Sequence, residues 1–246
     1  MAIERYITAQ KIINRAAVEC GITPISDVFA STDPSFVQLR NLINTCGQEL
    51  VESHEWEYLR REHTFTTAAL DDGSYDLPSD FGYMINQTGW ERTNRLPVSG
   101  PLSPQQWQYL KGRNLVQSTI YISFRLFEDK FNLYPDSPVP IGLTIFFEYM
   151  SRNWVIPIGA PTTFEDDVQA NGDIILFKPV MIVQYLRYKF LDAKGFDSAS
   201  ALSAFTASYM KDTGRNKGAP VLSAGLGINR IPLLNYRNIP YTNFGN

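Results

Sequence analysis

Between Asp33 and Trp56 the apolar residues Phe36, Leu39, Ile43, Cys46 and Leu50 recur at alternating spacings of three and four, with Leu42 beside them. Such spacing puts them on one stripe of a helix, and that stripe has to be covered. Asp33 is a good N-cap because its carboxylate accepts from the open N–H groups of the first turn. Pro34 suits the first helical position, where its missing N–H would have had no partner. The opposite face, with Gln38, Arg40, Asn41, Gln48, Glu49 and Glu52, suits water or a polar neighbour.

The covers lie at the two ends of the chain. Thr8 is predicted to cap a helical pattern of Ile12, Ile13, Ala16, Ala17 and Cys20, with Gly21 placed for a left-handed C-terminal residue. Pro179 opens a second pattern through Val180, Met181, Val183, Tyr185, Leu186, Tyr188, Phe190 and Leu191. After Gly195 a third carries Ala199, Leu202, Phe205 and Tyr209. Between the ends the period shifts to alternation. A strand is predicted through Tyr58, Arg60, Glu62, Thr64 and Thr66, with short pieces at Tyr75–Leu77, Met84–Gln87 and Trp90–Leu96. Ser103, Pro104 and Gln106 have capping-box spacing for a brief helix over Pro104–Lys111, ending at Gly112 and anchored by Trp107. The strongest alternation follows in Ile120–Phe127, Phe131–Tyr134 and Ile141–Tyr149, predicted to form a three-stranded antiparallel meander.

These elements predict an α+β protein. Its helical bundle comes from residues 1–56 and 173–212, with an antiparallel β-rich insertion over 57–172 that includes one short helix. An extended C-terminal arm is predicted over 213–246, where Gly214, Gly218, Pro220, Gly225, Gly227, Pro232 and Pro240 interrupt regular structure.

With 246 residues and 44% hydrophobic content, the chain can bury a substantial core. No run of eighteen apolar residues and no secretory pattern occurs, so neither a membrane span nor export is predicted. Cys20 and Cys46 fall on apolar helix faces and read as buried thiols. The net charge of −3 is uneven: from residue 213 onward there are Arg215, Lys217, Arg230 and Arg237 and no acid. The remainder therefore carries 18 basic against 25 acidic side chains. Tight binding to a phosphate backbone depends on lysines and arginines, so an acidic body predicts no specific nucleic-acid recognition.

The search for chemistry finds little. His54 and His63, nine residues apart, have no cysteine at ligand spacing, which predicts no metal site. Gly225 and Gly227 lack the third glycine and the strand–helix context of a dinucleotide fingerprint, and there is no GxxxxGK run. Asp80, Glu148, Glu165, Asp166 and Asp167 could supply the acid and base of a glycosidase if two faced each other, but they read more simply as capping or solvated acids. Trp90, Trp107, Trp154 and Tyr121 could stack on sugars, yet aromatic residues in a β insertion are more often core or protein interface. The residues thus predict no enzyme and no cofactor, with a carbohydrate-binding or glycoside-hydrolysing protein as the alternative.

Several stretches together carry a family resemblance: HEWEYLRRE at His54–Glu62, YDLPSDF at Tyr75–Phe81, PVSGPLSPQQW at Pro97–Trp107, the hairpin ending at Tyr134–Pro135, and LRYKFLDAKGFD at Leu186–Asp197. With the N-terminal helices they resemble the head-to-tail adaptors, or connectors, of short-tailed bacteriophages, of the tail tubular protein A and tail accessory factor type. The resemblance implies a structural protein of the virion, made in the host cytoplasm. It would form a homo-oligomeric, dodecameric ring between the portal protein and the tail nozzle protein, with genomic DNA passing through its channel without specific recognition.

On that reading the arm binds the portal, through Leu222, Leu226, Ile228, Arg230, Ile231, Leu233, Leu234, Tyr236, Arg237, Ile239, Tyr241 and Phe244. Ordering the arm costs about 1 kcal/mol per residue, and each buried apolar side chain returns roughly 1.5–3 kcal/mol, so the arm alone should be loose. It is nevertheless too apolar for a solvated linker. It is therefore predicted to order against another subunit or the portal, the alternative being that it wraps its own body.

Overall fold

The computed structural model describes residues 6–113, 122–136 and 139–216. The fold is α+β, with helices at both ends of the described chain and antiparallel sheets between them. Helix α1 spans Ala9–Glu19 and α2 spans Pro34–Ser53. The strands begin with β1 at Arg60–Thr66, β2 at Ser74–Asp76, β3 at Phe81–Met84, β4 at Trp90–Glu91 and β5 at Leu96–Pro97. Helix α3 at Pro104–Arg113 precedes β6 at Ser123–Phe127, β7 at Lys130–Tyr134, β8 at Thr144–Ser151, β9 at Val155–Ile156 and β10 at Ile174–Ile175. Helices α4, Pro179–Ala193, and α5, Ala199–Asn216, complete it.

The helix ends follow local chemistry. Asp33 accepts from the Ser35 N–H at 2.7 Å and Pro34 opens α2. The chain leaves α1 with Gly21 at φ +79°, while the N–H groups of Gly21 and Ile22 donate to Val18 and Ala17. The same paired closure recurs at Gly195 after α4, where φ is +72°. Ser103 and Gln106 exchange the two bonds of a capping box before α3. At Thr8 the expected side-chain cap is absent. Instead, the Ala9 and Gln10 N–H groups donate to the carbonyls of Asp173 and Asn171, so a distant loop closes this helix.

Helix α4 packs against α1, α2 and α5. The apolar stripes of α1, α2 and α4 meet in one buried cluster, which also takes in Trp56, Leu59, Met150, Trp154, Val155, Val168 and Phe177. Cys46 is fully buried in it, whereas Cys20 is half-buried. Leu202, expected on the packing face of α5, is exposed, and Ala201 is buried instead. Helix α5 continues to Asn216, so Thr213–Asn216, which the sequence reading assigned to the arm, are helical. Helix α2 ends at Ser53, short of Trp56.

A second cluster lies between two sheets. One runs β1-β8-β4-β5, with β3 also paired to β8; the other runs β2-β7-β6. Phe124, Phe131 and Phe147 stack through the gap, with centroids 4.4 Å and 5.2 Å apart. The predicted meander is corrected here: β6 and β7 form a hairpin, but β8 pairs with β1, β3 and β4 and never with β7. As an inner strand β8 is covered on both faces, with Ile145, Phe147 and Tyr149 in the second cluster and Met150 in the first. Ile141 lies before the strand and is exposed. The predicted strand Trp90–Leu96 is instead the β4–β5 hairpin. The buried Glu91 carboxylate accepts from the Thr93 and Asn94 N–H groups and so stabilises a turn where the alternation had suggested continuity. Residues Ile85–Gln87, predicted to be strand, follow β3 as loop.

Candidate functional site

The arm residues Leu222, Leu226, Ile228, Arg230, Ile231, Leu233, Leu234, Tyr236, Arg237, Ile239, Tyr241 and Phe244 lie outside the described residues, as does Tyr121. The carboxylates considered for acid–base work are each engaged in a different structural contact. Asp80 accepts from the hydroxyls of Tyr149 at 2.8 Å and Ser151 at 2.6 Å, tying its turn to β8. Burial, followed by the hydrogen bond to Asp80, pushes the Tyr149 hydroxyl well above its ordinary pKa. Glu148 pairs with Arg60 at 3.6 Å on the sheet. Glu165 makes a backbone bridge to Val155, the Asp166 carbonyl accepts from the Trp154 indole at 2.6 Å, and Asp167 accepts from the Gln48 amide at 3.2 Å. The tryptophans do not form a common platform: Trp154 and Trp107 are buried, and Trp90 is exposed.

His54 lies edge-on to Trp56 with ring centroids 4.9 Å apart, and His63 lies 5.4 Å from Phe147. Among the described residues no group of three His, Cys, Asp or Glu could hold a metal ion, and no helix is long and apolar enough to cross a membrane.

The most distinctive surface is the outer face of the β1-β8-β4-β5 sheet. Registered pairing places Thr64, Phe146, Trp90 and Pro97 in one row across four strands, because directly opposed residues share a face. Trp90 is 45% exposed. The Arg92 guanidinium sits 3.1 Å above the Phe146 ring centroid, which lets it shield an apolar ring while keeping its charge in water. In the next row Glu62 opposes Glu148, an unfavourable like-charge pair. Each is offset by an arginine: Arg92 lies 3.7 Å from Glu62 and Arg60 lies 3.6 Å from Glu148. Gln87, Thr88 and Arg95 line the same shallow cleft of about 940 Å³. Alternation with Ile145 and Phe147 places Glu148 outward. It did not reveal Glu62, Arg92 and Trp90 as its neighbours, since only the strand pairing joins them.

Between helices, Glu49 accepts from Lys189 at 2.7 Å and from the Tyr185 hydroxyl. Burial pushes the Glu49 carboxyl up, but these two bonds hold it below its ordinary pKa. Burial depresses His63, which the Asp80 carboxylate only partly offsets. In both cases the folded chain binds protons less readily than the unfolded one, so stability rises with pH across each titration. The melting temperature should hold near neutrality and fall as pH drops through about 6.5 with His63, then fall again below about 4.5 with Glu49. A thermal series in His63→Gln should lack the first decline and keep the second.

No protein-family model matches this chain, and no curated protein matches it.

Proposed function

We propose that this protein is a head-to-tail adaptor of a short-tailed bacteriophage: a dodecameric ring between portal and tail nozzle, with the genome passing through its channel. On this reading α1, α2, α4 and α5 form the ring-building bundle, and the inserted sheets face neighbouring subunits or the nozzle. The observation that carries the reading is the outer sheet face. An exposed Trp90, the Arg92-covered Phe146 and two arginine–glutamate pairs make a pattern suited to a protein partner. Tryptophan and arginine dominate interface energetics when a partner excludes water around them.

The portal contact belongs to the C-terminal arm, with its apolar side chains and its Arg230 and Arg237. Ending the chain after Asn216 tests this assignment. The shortened protein should remain soluble and folded and should no longer join the portal. Unfolding of that protein, or normal assembly with the portal, would remove the arm from the role.

A second reading, carbohydrate binding, draws on the exposed Trp90 beside Glu62 and Glu148. It loses Trp107 and Trp154 as stacking surfaces, because both are buried.

A further inference from the structure

A second cleft, of about 490 Å³, opens between the C-terminal half of α2 and the β3–β8 edge. Its walls are apolar, formed by Val51, Phe81, Met150 and Tyr83, the last of which is 43% exposed. Its charged lining is Glu52 and Asp166 against Arg152. The Arg152 guanidinium is directed to the Ser79 carbonyl at 2.9 Å. Asp167 adjoins through its bond with Gln48, and Asp80 lies beneath through its bond with Ser151. Burial, and after it the Glu55 carboxylate, raises the pKa of the Tyr83 hydroxyl, so Tyr83 presents a neutral hydroxyl on the β3 side of the rim.

The geometry points to one occupant: we propose that this cleft seats residues 229–238 of the same chain in the free subunit. Three observations converge. First, residues 217–246 contain Lys217, Arg230 and Arg237 and no acid, the charge complement of this rim. Second, Ile231, Leu233, Leu234 and Tyr236 lie between the two arginines, so one short stretch offers both apolar and cationic groups to a cleft with apolar walls and acidic edges. Third, the last described helix runs close by. The Tyr209 hydroxyl donates to the Ser53 carbonyl at 3.1 Å, and Ser53 directly follows Glu52 of the lining. From Tyr209 the helix runs only to Asn216, a rise of about 10 Å. The residues from Asn216 to Arg230 can span up to about 46 Å when extended, so this cleft is within reach.

Seating in the free subunit concerns a state before any partner binds, so it stands apart from the adaptor reading. A segment held here would be withheld from other surfaces until a stronger competitor drew it out.

Hydrogen exchange on the full-length chain tests the seat. Amides in 229–238 should exchange more slowly than those in 217–228, and should speed up about tenfold in Glu52→Gln/Asp166→Asn while α2 remains protected. Arg230→Gln/Arg237→Gln should have the same effect without altering the described core. Exchanging the charges, with arginine at positions 52 and 166 and glutamate at 230 and 237, should restore protection. The proposal is overturned if 229–238 exchange freely in the native chain, or if neutralising either side leaves their protection intact. Protection that grows with protein concentration would also overturn it, assigning the occupant to another copy. Portal assembly, scored separately, decides the adaptor reading.

Discussion

Trp56→Ala is expected to lower stability by about 3–5 kcal/mol and the melting temperature by roughly 6–20 °C. Trp56 is 1% exposed and sits where α2 gives way to the sheets. Its indole N–H donates to the Leu50 carbonyl at 2.6 Å, satisfying one of the groups a helix C-terminus leaves open. Its ring stacks on Tyr58 at 5.5 Å and meets Phe177 and Tyr209 edge-on at 5.8 Å and 6.0 Å. One side chain therefore joins α2, the first strand's approach, the segment leading into α4, and α5. Truncation removes the shared packing and one hydrogen bond together. Trp56→Phe should keep most of the packing and lose only the bond, so urea denaturation should place it between wild type and the alanine variant. Equal stability of the alanine variant and wild type would contradict this account of the junction.

Gly47→Ala is expected to destabilise the protein by about 1–3 kcal/mol, the usual cost of overpacking, although alanine is a better helix former than glycine by about 1 kcal/mol. A Cβ at Gly47 would lie 2.0 Å from Trp154 Cζ2 and 2.2 Å from Cε2. The ring cannot simply retreat. It is fully buried, its N–H is bound to the Asp166 carbonyl, and it packs 5.7 Å from Phe177. Steric overlap therefore outweighs propensity. A double-mutant cycle with Trp154→Phe should show favourable coupling, since the smaller ring vacates the space the methyl needs. A stabilised Gly47→Ala single variant would mean that Trp154 moves at little cost.

These two residues mark where sequence reading succeeds and where it stops. The stripe of α2 was legible because burial on one face imposes a helical period, and Phe36, Leu39, Ile43, Cys46 and Leu50 are all buried as that period requires. The caps at Asp33, Gly21 and Ser103 were legible because each solves a local backbone problem with local residues. Gly47 could not be found this way. Its reason is an indole more than a hundred residues away, and within the helix it resembles a weak spot. The sheet failed for the same cause: alternation assigns side chains to faces but does not name a strand's partner. Strand β8 therefore looked like the neighbour of β7, when its longest pairing is with β1. The outer face with Trp90, Arg92, Glu62 and Glu148 inherits that difficulty, because its members come from three strands. At the hairpin of β4 and β5, the carboxylate of Glu91 was misread as part of a continuous strand, since a turn held by a side chain leaves no glycine signal.

The central claim is that this chain builds a ring on a portal. Imaging the full-length protein mixed with the purified portal it is proposed to bind, together with its mass in solution, tests that claim directly. The account predicts a closed dodecameric ring seated on one end of the portal and absent when Trp90→Glu and Arg92→Glu disrupt the outer sheet face. A protein that stays monomeric beside the portal, or binds as a single copy per portal, would contradict it.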